Sequence, residues 1–125
     1  MKLLLDTHTL IWWLANNPTL FEGAKKAIAN PNNLVFVSAA SAWEIAIKKS
    51  LGKLDAPEDL ETQIEVHNFQ ALPITITHGV AVGKLPWHHK DPFDRIIIAQ
   101  AICESATIIT RDKKFNLYNV SVGRC

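Results

Sequence analysis

Short apolar runs recur along the chain at 2–5, 34–37, 72–75 and 107–110, with a weaker one at 120–122. Each is continuous rather than alternating, the pattern of a strand covered on both faces, as in a parallel sheet. Helical stretches separate them. Residues 7–15 have a polar start and an apolar body, and Thr19 with Glu22 gives a capping-box opening to a helix over 21–29, closed by Asn30-Pro31. Ser38 caps a helix running to Lys49, which Gly52 stops. Pro57-Glu58-Asp59 opens another to about Phe69, and a short one covers 78–84. The strongest helix starts with Asp91 as N-cap and Pro92 in the first helical position, and runs to Glu104.

Strands alternating with helices predict an α/β fold, a three-layer α/β/α sandwich around a central, mostly parallel five-stranded sheet. With 125 residues, no internal repeat and no Gly/Ser linker, the chain reads as one domain over 1–125. Two cysteines make no disulfide framework, and Cys103, in an apolar helix, reads as a small buried thiol. No apolar run nears the roughly 20 residues that span a bilayer, and the N-terminus lacks the form of a signal peptide. These features point to a cytoplasmic protein with no membrane role.

The charge is nearly balanced, 13 Lys+Arg against 12 Asp+Glu, which by itself argues against a nucleic-acid binder. The balance changes if acids cluster around a cation, because four of them set aside leave 13 basic against 8 acidic groups elsewhere. Parallel sheets bind ligands outside the carboxyl ends of their strands. Asp6 follows the first strand directly, Asp112 lies just past the fourth, and the helix preceding that strand returns Asp91 and Asp94 to the same edge. Glu44 sits two turns into its helix, and spacing alone does not place it at the rim.

Each acid also has an ordinary structural use. Asp6, Asp91 and Asp94 suit helix N-termini, Glu44 pairs with Lys48 at i,i+4, and Asp112 fits a solvated turn. Gathered together they do not, since two carboxylates 4 Å apart repel by roughly 4 kcal/mol at an effective dielectric of about 20. Such a cluster needs a shared proton or a cation, and an all-oxygen site suits Mg²⁺ or Mn²⁺. His88 and His89 with Cys103 fit no zinc spacing, and a loop histidine reads as exposed. No G-x-S-x-G elbow or Gly-rich phosphate loop is present. Lys48, Lys49, Lys90, Arg95, Arg111 and Lys113 are candidates for steering phosphates, with solvated surface charge as the alternative for each. Trp87, between Pro86 and His88, is a candidate for stacking on an unpaired base, whereas Trp12, Trp13 and Trp43 read as core or dimer contact.

Four blocks, in order and across the whole chain, carry a family likeness: Leu4-Leu5-Asp6-Thr7-His8; Ser41-Ala42-Trp43-Glu44-Ile45 with Lys48 and Gly52-Lys53-Leu54; Asp91-Pro92-Phe93-Asp94-Arg95 running into Ile98-Ala99-Gln100-Ala101; and Thr110-Arg111-Asp112-Lys113-Lys114-Phe115. The sequence resembles PIN-domain proteins, in particular the VapC-type toxins of prokaryotic toxin-antitoxin pairs. That resemblance implies a Mg²⁺- or Mn²⁺-dependent endoribonuclease whose catalytic, metal-binding quartet falls on Asp6, Glu44, Asp94 and Asp112. It places Thr110 as a hydroxyl neighbour of the metal and Asp91 as an accessory acid. It further implies an RNA substrate, a small cognate antitoxin as partner, and a homodimer. The alternative function is a catalytically inactive module that keeps the fold to bind a protein or RNA partner.

Overall fold

The computed structural model describes residues 1–125. In chain order the elements are β1 (Lys2–Leu5), α1 (Thr7–Leu14), α2 (Glu22–Ala29), β2 (Leu34–Ser38), α3 (Ala39–Ser50), α4 (Leu60–Val66), β3 (Gln70–Leu72), α5 (Ile76–Val82), α6 (Pro92–Glu104), β4 (Thr107–Thr110) and β5 (Val122–Arg124), with a 3₁₀ turn at Lys113–Leu117. The five strands form one sheet in the order β3-β2-β1-β4-β5, and every neighbouring pair is parallel. The expected α/β sandwich is therefore present, with a sheet that is wholly rather than mostly parallel.

β1 is central, and its three leucines are fully enclosed, Leu3 and Leu5 facing one helical layer and Leu4 the other. The first layer packs Leu10 of α1 and Ala24 and Ile28 of α2 onto the sheet; the second packs Ile97, Ile98 and Ala101 of α6. α3 joins both, giving Ile45 to the first and Ala40 to the second. Burial on both faces is what the uninterrupted apolar runs require.

Local chemistry moved several boundaries. β3 covers 70–72 instead of 72–75, since Pro73 has no N–H to continue the ladder, and Phe36 pairs with Gln70. The expected capping box of α2 does not form: Phe21 is the N-cap with no side-chain bond, and Thr19 bonds Asn17 instead. The box that does form belongs to α5, where the Thr75 hydroxyl accepts from the His78 N–H and the His78 ring from the Thr75 N–H, so that helix begins at Ile76 rather than 78. α4 is confined to Leu60–Val66 and buries no residue completely. β5 lies at 122–124 instead of 120–122; a Cβ on Gly123 would stand 2.6 Å from Ile109 Cδ1, so any larger residue there would have to displace that methyl. Gly52 ends α3 as expected, with φ +68°. Cys103 is exposed, contrary to expectation, because its position in α6 faces away from the sheet, while Cys125 is buried. No helix is long and apolar enough to cross a membrane.

Candidate active site

Reversal of strand order around β1 opens a crevice at the carboxyl ends of β1, β2 and β4, and the starts of α1, α3 and α6 surround it. Asp6, the first residue past β1, is the N-cap of α1: one carboxylate oxygen accepts from the Thr9 N–H at 2.8 Å and the other from the Thr110 hydroxyl. Thr110 Oγ1 in turn accepts from the Asp112 N–H at 3.0 Å, so a single hydroxyl ties the end of β4 to Asp6 and to the backbone of Asp112.

On α6, Asp91 caps the helix by accepting from the N–H groups of Phe93 (2.8 Å) and Asp94 (3.3 Å). Its carboxylate is thus engaged, whereas Asp94, one turn on, presents its own into the crevice toward His89. Burial pushes the Asp94 carboxyl up to about 7; the charges of Asp91, Glu44 and Asp6 act in the same direction, and His89 opposes them. The Asp112 carboxyl goes the other way, held below its usual value by the Lys114 N–H and by His89 against a desolvation penalty.

Glu44, which spacing left unplaced, belongs to this group. It is 4% exposed, with Oε2 receiving the Lys48 ammonium at 2.6 Å and Oε1 buried with no partner. An orphaned carboxylate oxygen beside a carboxyl whose ionisation is suppressed by burial and by its acidic neighbours is a donor set short of a cation. The ligand atoms of His89, Asp94 and Asp112 lie within 4.8 Å of one another, a spacing that could hold a cation, and the charges of Asp6 and Glu44 act on the same Asp94 carboxyl.

One member was missed. His89 was expected to be an exposed loop residue, but it is 8% exposed, and its Nε2 lies 2.8 Å from Asp112 Oδ2 and 3.1 Å from Asp94 Oδ2. The available signal was position: a histidine two residues ahead of the N-cap is carried to the same helix start as Asp94.

The six basic candidates separate. Arg95 is 3% exposed and donates to the carbonyls of Pro86, Val82, Leu85 and His89, so it fastens the 82–89 loop instead of reaching phosphate. Lys48 is committed to Glu44, and Lys49 to the Pro57 carbonyl and Glu58. Lys90 and Lys113 are exposed and free of ion pairs. Arg111 donates to the Thr19 carbonyl and lies over the Trp12 ring at 4.0 Å. With Lys113 and Arg124, which the sequence reading did not single out, it lines a cavity of about 480 Å³ that reaches Thr110 and Asp112. Trp87 is 76% exposed with the Arg95 guanidinium 3.8 Å under its ring. Trp43, expected as core or dimer contact, is not core: it is 60% exposed and meets Phe93 edge-on, because its position on α3 turns away from the sheet. Trp12 and Trp13 are half-buried.

A family model, that of the PIN domain, matches residues 3–120. The chain belongs to the PIN-domain family. It is 30% identical over 114 residues to Ribonuclease VapC22 of Mycobacterium tuberculosis, covering 89% of this chain and 87% of that one. Among solved structures, VapBC2 of Rickettsia felis, bound to a DNA fragment from its promoter, superposes with a TM-score of 0.75 at 17% identity over 100% of this chain and 99% of that one. DNA-bound VapBC from Salmonella typhimurium gives 0.72 at 18% identity, over 99% and 98%. At such identities these two show a shared PIN fold, extending over essentially the whole of each chain.

Proposed function

We propose that this PIN-domain chain is a metal-dependent endoribonuclease, a single nuclease domain over 1–125 that acts in the cytoplasm as the toxin of a toxin-antitoxin pair. The observation that supports the reading is that Asp6 and Glu44 act electrostatically on Asp94, Asp112 meets Asp94 across His89, and Glu44 Oε1 is left unpartnered. The named ribonuclease at 30% identity supports the activity, and the toxin-antitoxin complexes among the fold neighbours support a small protein antitoxin as partner. An unpaired RNA strand as substrate and a homodimeric assembly complete the proposal.

The four carboxylates are the metal ligands in this reading, with Mg²⁺ as the ion and Mn²⁺ able to replace it. Bound there, a divalent ion supplies a water of lowered pKa and offsets charge on the scissile phosphate. The protein's own groups set the stage. The Thr110 hydroxyl fixes the Asp6 carboxylate, Lys48 orients Glu44 so that Oε1 stays free, and the α6 cap at Asp91 aims Asp94 inward. Arg111, Lys113 and Arg124 provide a basic wall beside Asp112 along which a phosphate backbone can lie, through contacts that do not depend on sequence. Trp87, backed by Arg95, offers its open ring face to an unstacked base.

Cleavage of labelled RNA by the purified chain tests this, with Mg²⁺ or Mn²⁺, with EDTA, and with Asp6→Asn and Asp94→Asn as controls against contaminating ribonuclease. Metal-dependent products absent from both variants are expected. Equal products from folded wild type and variants would refute the assignment and favour a binding module.

A further inference from the structure

His89 holds a place in the acidic centre that neither its loop position nor the quartet accounts for. Its backbone N–H donates to the buried Tyr118 hydroxyl at 2.7 Å, and its ring packs edge-on against Phe115, centroids 5.6 Å apart. The Asp91 N–H donates to Nδ1 at 3.3 Å. An Nδ1 that accepts leaves the ring proton on Nε2, and Nε2 is the atom that faces Asp94 and Asp112 together. The ring therefore confronts the acids as a donor, its orientation set from three directions by the 3₁₀ turn, the loop and the start of α6.

We propose that His89 is a positioning residue of the metal centre: its Nε2–H, shared between Asp94 and Asp112, holds the carboxylate from α6 and the one following β4 together without itself ligating the ion. These two acids have no other common support. Asp94 rides on the first turn of α6, while Asp112 begins the 3₁₀ turn beyond β4, and the side chain that reaches both is His89, hydrogen-bonded to Asp112 Oδ2 at 2.8 Å and 3.1 Å from Asp94 Oδ2. A nitrogen that donates to ligating carboxylates keeps their remaining lone pairs directed at the ion, and loss of such outer contacts typically lowers metal affinity 10–100-fold. Direct ligation by Nε2 would require the proton to move to Nδ1, where it would face the Asp91 N–H.

This inference rests on the metal-centre reading but not on RNA, so the test needs no substrate. Mn²⁺ binding by the intact chain is measured by calorimetry and by pulsed EPR, for wild type, His89→Leu, His89→Gln and Tyr118→Phe, with circular dichroism to confirm folding. Glutamine places an N–H donor close to the position of Nε2; leucine removes it; Tyr118→Phe keeps the imidazole and frees its backbone anchor. The expected result is a 10–100-fold rise in Kd for His89→Leu, a rise of a few-fold at most for His89→Gln, an intermediate value for Tyr118→Phe, and no directly bound imidazole nitrogen in the wild-type EPR signal. Unchanged affinity in a folded His89→Leu would overturn the proposal. So would nitrogen coupling that His89→Leu abolishes, which would make His89 a ligand. A wild-type chain that binds no Mn²⁺ would sink the metal centre itself, an outcome distinct from both.

Discussion

Replacing Asp94 by asparagine should stabilise the metal-free protein. Folding lifts this carboxyl from 3.8 to about 7. A group whose pKa is raised by folding binds protons more tightly in the native state, so the fold loses stability as pH climbs from about 4 to 7. At 1.36 kcal/mol per pH unit the penalty has a ceiling of roughly 4 kcal/mol above pH 7. The Asp94 side chain is 21% exposed, and screening by that solvent brings the expected value nearer to about 2 kcal/mol. Asparagine is isosteric, keeps an oxygen for the His89 N–H and carries no charge. At pH 8 in EDTA, Asp94→Asn should therefore melt about 6–10 °C above wild type, taking roughly 3–5 °C per kcal/mol for a chain of this size. The gain should shrink toward zero at pH 4 and stay level above pH 7. Adding Mn²⁺ should raise the melting temperature of wild type and leave the variant unmoved. A variant that melts at or below wild type at pH 8 would show that Asp94 is comfortable in the metal-free fold, and the inference that the cluster awaits a cation would fail with it.

Other outcomes follow from neighbouring contacts. Lys48→Met removes the only partner of Glu44 and should destabilise the metal-free protein by roughly 1–3 kcal/mol in urea unfolding; Mn²⁺ should recover more stability for this variant than for wild type. Arg95→Met strands the carbonyls of the 82–89 loop and should cost about 2–4 kcal/mol, with the loss visible as faster amide exchange in that loop. Lys113→Glu with Arg124→Glu should weaken binding of single-stranded RNA by the cleavage-deficient Asp6→Asn chain, reducing the slope of log K against log salt by about 0.7 for each lost phosphate contact. A salt slope equal to that of the Asp6→Asn parent would remove the basic wall from the RNA path.

The fold was legible because burial on both faces of a parallel sheet leaves continuous apolar runs, and the start of α6 was legible because Asp91-Pro92 is a local signal. Boundaries failed where tertiary partners overrode local chemistry. Thr19 has a good capping sequence but bonds Asn17 and Arg111, and Leu72 ends rather than begins its strand because Pro73 follows. The strand-end rule reached Asp6, Asp94 and Asp112. Glu44 needed the family pattern, since its burial depends on how α3 tilts across both core layers. Arg95 and His89 reversed their expected roles for one reason: exposure of a charged or polar side chain at a helix start or in the loop before it depends on the groups that fold over it. Here the 82–89 carbonyls close on Arg95, and Tyr118 with Phe115 closes on His89.

β1 lies at the middle of the sheet, yet the strands on its two sides come from opposite ends of the chain. It pairs with β2 some thirty residues on, but its other edge waits for β4, where Leu4 sits opposite Ile108, and Asp6 meets Thr110 across a sequence separation of 104. Contacts of such long range carry a loop-closure cost that slows folding. During synthesis Asp6 is made 88 residues before Asp94 and 106 before Asp112. The nascent chain thus carries no complete acidic centre until Asp112 has been made. Any premature stop before residue 112 yields a fragment without the centre.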